Sequence, residues 1–237
     1  HLIAERMADA LGDRLLLSSP VREIRWQDGG HVEIDSDLVR LVASRVIVAT
    51  PPALAAAIRF DPVLPTLRNQ LFQRFPMGSL IKVTAMYDTP FWREAGLSGM
   101  SANLGLPVAN TFDNTLPDGG PGILLGFVGG PDARRWAGLD ASERRKEALA
   151  SFAAVVGEAA LAPIDYFEQD WPADPWARGG PVAFLGPGVL LDYGATIRQP
   201  IGPIHWAGTE TATFWNGYME GAVRSGERAA DAALASL

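Results

Sequence analysis

The chain has 237 residues, of which 48% are hydrophobic and 20% charged, and it carries a net charge of −7 and no cysteine. This is the composition of an ordinary globular protein with room for one large or two smaller domains. The negative charge argues against partners such as nucleic acid or an anionic membrane, and the lack of cysteine excludes disulfides, thiolate metal sites and a cysteine nucleophile. No apolar run approaches the roughly 18 to 20 residues of a membrane span. Because no signal peptide is visible and the histidines are too dispersed for a metal site, we expect a cytoplasmic protein without a metal.

The first third of the sequence predicts a helix followed by several strands. Apolar residues recur at helical spacing from Leu2 to Leu11, and Gly12 is placed to cap that helix. Asp28-Gly29-Gly30 is a hairpin turn, since glycine tolerates a positive φ. The near-continuous apolar run from Arg45 to Thr50 is typical of a parallel strand that is buried on both faces. Further short strands are predicted at residues 14–18, 21–27, 31–35 and 38–42.

The middle of the chain contains a helix with a clear start signal. Asp140-Ala-Ser-Glu143 is a capping box, which predicts a helix that runs to Gly157. The segment from Asp170 to Pro181 is predicted to be a long irregular loop, and its tryptophans and prolines favour a functional role. Helices are also predicted at residues 53–58 and 67–75, and strands at 80–87, 107–112, 123–128 and 164–169.

The C-terminal stretch predicts a short buried strand, a glycine turn and a helix with one face of small residues. The apolar run from Ile204 to Ala207 ends at Gly208, and the helix follows Gly217. The small residues on the helix are Ala222, Gly226, Ala229 and Ala233. Such a helix can lie close against a neighbour, and its N-terminus is suited to receive an anion or an electron-rich carbonyl. From these residues alone, a purely structural strand and helix is an equally good interpretation.

Three closely spaced segments carry a resemblance to a known family. They are Gly208-Thr-Glu-Thr211, Trp215-Asn-Gly-Tyr-Met-Glu-Gly-Ala-Val223 and Gly226-Glu-Arg-Ala-Ala230. Together they resemble the C-terminal flavin motif of the flavin-containing amine oxidases, the monoamine oxidase family. Segments at residues 46–52, 60–65, 68–70, 76–82, 90–93, 171–176 and 198–200 follow the same family's order and spacing.

The resemblance implies an α/β (mixed α+β) fold in which part of a Rossmann-like FAD-binding domain is interleaved with part of a mixed-sheet substrate domain. We expect the FAD-binding part at residues 1–71 and 172–237, with the substrate-binding part at residues 72–171. The family's N-terminal Gly-x-Gly-x-x-Gly turn, which grips the FAD pyrophosphate, is absent from this sequence. The resemblance therefore implies that the chain is the C-terminal half of such an oxidase and is inactive without the missing N-terminal half.

The resemblance also implies roles for individual residues. Lys82 matches the lysine that holds a water at the flavin N5, and Tyr218 matches one wall of the aromatic cage around the substrate amine. The family's second cage tyrosine falls at Pro181, and Phe184 is a candidate replacement in the substrate site. The family's flavin-linking cysteine falls at Gly180, so FAD is expected to bind noncovalently. The implied cofactor-binding residues are Val21, Trp171, Trp176, Gly208, Thr209, Glu210, Gly217 and Met219.

The expected function is the oxidation of a primary monoamine or diamine by FAD and O2, which yields imine, aldehyde and H2O2. An amino acid is a less favoured substrate because no arginine is clearly placed for its carboxylate, with Arg178 as the exception. Two alternatives stay open: a desaturase or isomerase on this fold, which would act on a carotenoid or a porphyrinogen, and a cofactor-less fragment that serves as a partner subunit. A homodimer is a further option.

Overall fold

The computed structural model describes residues 2–237, and its secondary structure mixes helices with several sheets. Short 3₁₀ segments link many of the longer elements. The helices are α1 (Leu2–Leu11), α2 (Pro52–Ala55), α3 (Thr66–Gln73), α4 (Gly130–Trp136), α5 (Ala141–Val156), α6 (Val189–Tyr193) and α7 (Met219–Ala235). The strands are β1 (Val21–Trp26), β2 (Val32–Ser36), β3 (Arg40–Ala43), β4 (Val46–Val48), β5 (Arg59–Asp61), β6 (Leu80–Tyr87), β7 (Ser101–Ala102), β8 (Asn110–Asp113), β9 (Gly122–Gly129), β10 (Asp165–Asp170) and β11 (Ile204–Trp206). The expected mixed α/β fold is confirmed.

The chain forms two compact units. The first unit comprises the chain up to Phe75 and from Leu185 onward, and the second runs from Pro76 to Phe184. The expected boundaries lie after residues 71 and 171. Within the second unit, the end of the irregular loop pairs with the start of the unit, where the N–H of Phe184 donates to the carbonyl of Pro76 at 3.0 Å.

The first unit contains two sheets. One has the strand order β3-β2-β1-β5, and the other is the parallel pair of β11 and β4. The β1–β2 hairpin is antiparallel around the expected glycine turn, whereas β5 runs parallel to β1. Ile24, Val32, Ile204 and Trp206 are among the buried members of the core of this unit. This packing fixes β11, and therefore the glycine that follows it.

The second unit is built on an antiparallel sheet of order β10-β6-β9-β8-β7. Side chains alternate strictly along β6, so that Ile81, Val83, Ala85 and Tyr87 enter the core. The opposite face of β6 is only half-buried. Helix α5 covers the core face with Phe152, and its start shows the expected capping box, with the N–H of Glu143 donating to Asp140 Oδ1 at 2.9 Å.

Two local predictions are wrong, and one helix was not predicted. Residues 14–18 form no strand, because a 3₁₀ turn at Gly12–Arg14 is followed by irregular chain. Residues 189–193, for which the sequence predicted no element, form helix α6, since an apolar run this short fits a helix as well as a strand. The strand predicted at 45–50 shortens to β4, and Ile47 is 37% exposed instead of buried.

The small face of α7 also differs from the prediction. The buried residues are Gly221, Ser225, Ala229 and Ala233, whereas Ala222 is exposed and a Cβ at Gly226 would meet no atom. The contact face follows every fourth residue and includes Ser225, a residue type that the predicted pattern of alanine and glycine leaves out. Among the described residues 2–237, no helix combines the length and apolarity that a membrane crossing requires.

Candidate functional site

The strand β11 delivers the chain into a tight turn at Gly208. Gly208 has a φ of +108°, a conformation that other residues rarely adopt. Its N–H donates to Ser225 Oγ on α7 at 3.0 Å, and its carbonyl accepts from the N–H of Thr211 at 2.9 Å. The turn is therefore anchored to the helix behind it as well as to the residues that follow it.

Thr209 ties this turn to the start of α7. Its hydroxyl accepts from the N–H of Gly217 at 2.7 Å and donates to the carbonyl of Tyr218 at 2.9 Å. The single proton of the hydroxyl is thus used inside the protein. The side chain of Thr209 therefore has no proton left to donate to a ligand.

Two arginines fix the far end of the turn. Arg198 Nε donates to the carbonyl of Thr211 at 2.6 Å, and Arg228 donates to the carbonyl of Trp206 at 2.8 Å and to Thr211 Oγ1 at 3.1 Å. Burial, followed by the nearby charge of Arg198, lowers the pKa of Arg228 below its usual value. The sequence motifs indicated no role for either side chain. For Arg228 the available signal was its place on α7 one residue before Ala229, which lies on the predicted small face.

An exposed group of large side chains surrounds the start of α7, and we call it the aromatic patch. It consists of Phe214, Trp215, Tyr218 and Met219, with exposed fractions of 57%, 52%, 63% and 61%. The rings of Trp215 and Tyr218 meet edge to face, with centroids 5.3 Å apart. Trp215 has a φ of +52°, which is rare for a bulky residue and is often found at functional sites. Contiguous exposed apolar side chains are typical of a surface that contacts a ligand or another protein segment.

The first turn of α7 has no side-chain cap from any residue in the described range 2–237. The N–H groups at Met219 and Glu220 therefore face outward with the positive end of the helix dipole. Behind them the backbone is very close, because a Cβ at Gly221 would lie 2.1 Å from the carbonyl oxygen of Trp215. This close approach sets where the aromatic patch stands relative to the helix.

Lys82 lies on the half-buried face of β6, opposite the core of the second unit. Its cross-strand neighbours are Phe127 on β9 and Gln169 on β10. The structure shows no hydrogen bond or ion pair to Lys82 from any residue between 2 and 237. The lysine therefore does not enter the core, and its amine is free to bind a small polar ligand.

The irregular loop is held to the start of the second unit by crossing glycines. The N–H of Gly180 donates to the carbonyl of Gly78 at 2.8 Å, and a Cβ at Gly78 would lie only 2.3 Å from the carbonyl oxygen of Gly180. Trp171 is half-buried, and a Cβ at Gly180 would touch it at 3.7 Å. Trp176, Pro181 and Phe184 are exposed.

The structure thus gathers the expected site residues in two groups. Gly208, Thr209, Glu210, Gly217, Tyr218 and Met219 meet at the turn and helix start of the first unit, while Lys82, Trp171, Trp176, Pro181 and Phe184 belong to the second unit. Val21 begins β1 and packs partly buried against the core of the first unit. Within residues 2–237, His, Asp and Glu side chains form no group that could hold a metal ion.

The family of the chain follows from a match over nearly all of its length. Residues 1–234 match the family described as flavin containing amine oxidoreductase. The chain belongs to this family, which is a family of oxidoreductases that use a flavin.

Three similar proteins show how the chain compares with longer members. The Mycobacterium tuberculosis protein AofH, named as a flavin-containing monoamine oxidase, is 48% identical over 235 residues, which is 99% of this chain and 51% of that protein. An L-amino acid dehydrogenase of Synechocystis is 41% identical over 235 residues, with 99% and 50% covered. A structure titled as wild-type putrescine oxidase bound to putrescine matches with a TM-score of 0.95 and 40% identity, covering 99% of this chain and 52% of that one. The chain thus spans about half the length of these relatives.

Proposed function

We propose that this chain forms the C-terminal portion of an FAD-dependent amine oxidase that converts a primary monoamine or diamine to its imine and aldehyde, with O2 reduced to H2O2. The observation that carries the proposal is the exposed aromatic patch at the uncapped start of α7, beside the turn at Gly208. The names of a monoamine oxidase and of a putrescine oxidase among the similar proteins point to the same substrate class.

The residues of the first unit fit a flavin. The open N–H of Met219 lies at the positive end of a 17-residue helix, which suits a carbonyl that gains negative charge on reduction. Flat exposed rings next to it suit a flat ligand and an amine. A bound flavin would supply the redox chemistry, as the acceptor of a hydride equivalent from the carbon that bears the amine and as the electron donor to O2. In this proposal Tyr218 orients the amine, while Met219 and the backbone of Gly208, Thr209 and Gly217 hold the cofactor.

Lys82 supplies the second part of the proposed chemistry. A half-buried amine without a carboxylate partner can hold a water and place positive charge where O2 is reduced. Trp171 and Trp176 would pack around the flavin ring. The substrate pocket would include Pro181 and Phe184 in addition to Tyr218, and it would differ from a two-tyrosine cage because Pro181 offers no aromatic face.

We propose noncovalent attachment of FAD, since the chain contains no cysteine and Gly180 stands where a flavin-linking cysteine is expected. Val21 would meet the adenine through its backbone, and Glu210 would support the turn near the ribityl chain. The FAD-binding label for the first unit and the substrate label for the second are parts of the same proposal.

We further propose that a polypeptide corresponding to the remaining half of the relatives supplies the phosphate-gripping turn and makes the enzyme active. Helix α1 is consistent with such a partner, because Leu2, Ile3, Met7 and Leu11 are all exposed.

The homodimer and the cytoplasmic location are also proposals. Size-exclusion chromatography of the complete protein tests the homodimer, and cell fractionation tests the cytoplasmic location.

An amino acid is the second candidate substrate, since one similar protein is named an L-amino acid dehydrogenase. Such a substrate needs a cation for its carboxylate, and Arg178 is an exposed candidate in the irregular loop. Arg178→Met distinguishes the two candidate substrates. An amine oxidase with this substitution keeps its affinity for amines, whereas an amino acid oxidase loses affinity for its amino acid.

The test of the proposal joins the chain to its remaining half, loads it with FAD, and screens monoamines, diamines and amino acids for H2O2 release. We expect release with at least one primary amine. A protein that binds FAD but yields no H2O2 with any amine contradicts the proposal. Catalysis of desaturation or isomerisation without H2O2 would replace it with the desaturase or isomerase alternative.

A further inference from the structure

Arg68 on α3 carries a buried charge and lies outside both the turn at Gly208 and the aromatic patch. The residue is 3% exposed, and its guanidinium lies 4.2 Å from the ring centroid of Trp206. Its terminal nitrogens donate to backbone carbonyls of Thr196, Ile197 and Gln199. Burial lowers the pKa of Arg68 to about 10, so the side chain stays charged near neutral pH.

Two buried donors at this point have no partner within residues 2–237. They are Arg68 Nε and Trp206 Nε1. A buried N–H group without an acceptor is strongly unfavourable, and native proteins usually satisfy it with protein atoms or with ordered water. Since both donors belong to side chains that stack on each other, one acceptor can serve both.

A small cavity lies beside these two side chains. Arg68, Trp206 and Glu210 are among its lining residues, and most of the other lining side chains are apolar, such as Val48, Leu71, Phe72 and Phe75. The volume that a water molecule can reach is about 20 Å³. A single water needs roughly 10 to 15 Å³ and at least two polar partners, so the space fits one water and nothing larger.

We propose that this cavity holds one ordered water, which accepts hydrogen bonds from Arg68 Nε and Trp206 Nε1 and donates one to the carboxylate of Glu210. Glu210 is 6% exposed and is the acidic side chain in the lining. A carboxylate is a strong acceptor that can take more than one hydrogen bond, and its charge offsets that of the buried guanidinium. The water thus links a buried cation to the turn that follows β11.

The link makes Arg68 a positioning residue. Arg68 binds backbone carbonyls within residues 196–199, stacks on Trp206 and contacts Glu210 through the water. It therefore links α3 both to the segment before β11 and to the turn after β11. The water site itself does not depend on the proposed function. Only the consequence that it steadies a cofactor-facing turn rests on the proposed amine oxidase.

The direct test is a crystal structure of the protein at a resolution that shows ordered waters. The expected result is a density peak in the cavity at hydrogen-bonding distance from Arg68 Nε, Trp206 Nε1 and Glu210. An empty cavity overturns the inference, and so does a direct hydrogen bond from Arg68 Nε to Glu210 without a water between them. Because no flavin is needed, failure here leaves the proposed function untouched.

A solution test uses the indole N–H protons in a nuclear magnetic resonance spectrum. Trp206 should show a cross peak to a long-lived bound water, and Trp206→Phe identifies the signal by removing it. Trp136 is the matched control, because it is 0% exposed and its Nε1 donates directly to Glu147 at 2.7 Å. A cross peak at Trp206 and none at Trp136 supports the water, whereas no cross peak at Trp206 contradicts it.

Discussion

Lys82 lies on the half-buried face of β6, opposite the core of the second unit. On β6 the core face carries Ile81, Val83 and Ala85, and a lysine there would lose its hydration. Lys82 instead stands on the opposite face beside Phe127. Its place is therefore compatible with folding without a partner, and it is also compatible with the proposed role in holding a water.

We predict that Lys82→Met slows the reoxidation of reduced flavin by O2 by about 10²-fold, the usual loss for one preorganised donor, while the affinity for FAD stays close to that of the unchanged protein. Stopped-flow absorbance measures the reoxidation, and titration measures the affinity. The matched control is Lys146→Met, which removes the other lysine of the chain at an exposed position on α5. Equal effects of Lys82→Met on reoxidation and on FAD binding would refute the proposed role.

His205 gives the stability of the protein a dependence on pH. The side chain is 3% exposed on β11, and burial, followed by the charges of Arg45 and Arg228, lowers its pKa from 6.5. Below pH 6.5 the unfolded chain therefore binds a proton that the folded chain resists. The stabilisation is complete above pH 6.5 and is lost as the pH falls toward the folded pKa.

For His205→Leu we predict a flatter dependence of unfolding free energy on pH below about pH 6.5, since the His205 contribution has a slope of at most about 1.4 kcal/mol per pH unit. Urea unfolding at a series of pH values measures it. His31→Leu serves as the control, because His31 is exposed. If the slopes of the unchanged protein and of His205→Leu agree, His205 is not the titrating group.

Helix α7 is the element that places the aromatic patch. Its contact face is set by small side chains, and Gly221 allows the carbonyl of Trp215 to lie against the helix. Five residues later, Gly226 meets nothing. The same element thus contains one glycine that packing requires and one that packing does not require.

We predict opposite effects of alanine at these two glycines. Gly221→Ala should lower the unfolding free energy by about 1 to 3 kcal/mol, because its methyl group overlaps the Trp215 carbonyl. Gly226→Ala should raise it by about 0.5 to 1 kcal/mol, because alanine favours the helix and restricts the unfolded chain. Thermal unfolding measures both. A destabilising Gly226→Ala would show that the exposed face of α7 is covered within this chain.

The close backbone contact of Gly78 with Gly180 leads to a second prediction about stability. A methyl group at Gly78 would overlap a backbone oxygen, which cannot swing away as a flexible side chain can. Gly78→Ala should therefore destabilise the second unit by about 1 to 3 kcal/mol and expose the irregular loop to protease. Gly138→Ala is the control in the same unit, since its nearest atom would be 3.6 Å away. Equal protease resistance of the two variants would mean that the loop is not held at this crossing.

The parts of the fold that the sequence predicts well have local causes. The capping box at Asp140 specifies the start of α5 by itself, and the glycines after Asp28 specify a hairpin. The helix α6 was missed because its apolar run is decided by neighbours far away in the sequence, including Gln70, which accepts a hydrogen bond from Tyr193 at 2.9 Å. The limited burial of Ile47 was missed for a related reason, since periodicity does not show how many strands flank β4.

In the candidate site, too, the features with local causes were predicted and those with long-range causes were not. Tyr218, Met219 and the glycine turn were found because they form a continuous motif in sequence. The positive φ of Trp215 and the unpaired donors of Arg68 and Trp206 depend on groups brought together from distant segments. No spacing rule could have predicted them, because neither the backbone angle nor the missing partner is written in a local pattern.

For the whole molecule, we propose above all that an amine reduces a flavin held at the start of α7. The most direct measurement is an anaerobic titration of the flavin-loaded protein, joined to its remaining half, with primary amines. We predict that at least one amine bleaches the flavin absorbance, and that Tyr218→Ala slows this step while the fold stays intact, since Tyr218 is 63% exposed. A protein that holds flavin but is not bleached by any amine would contradict the account.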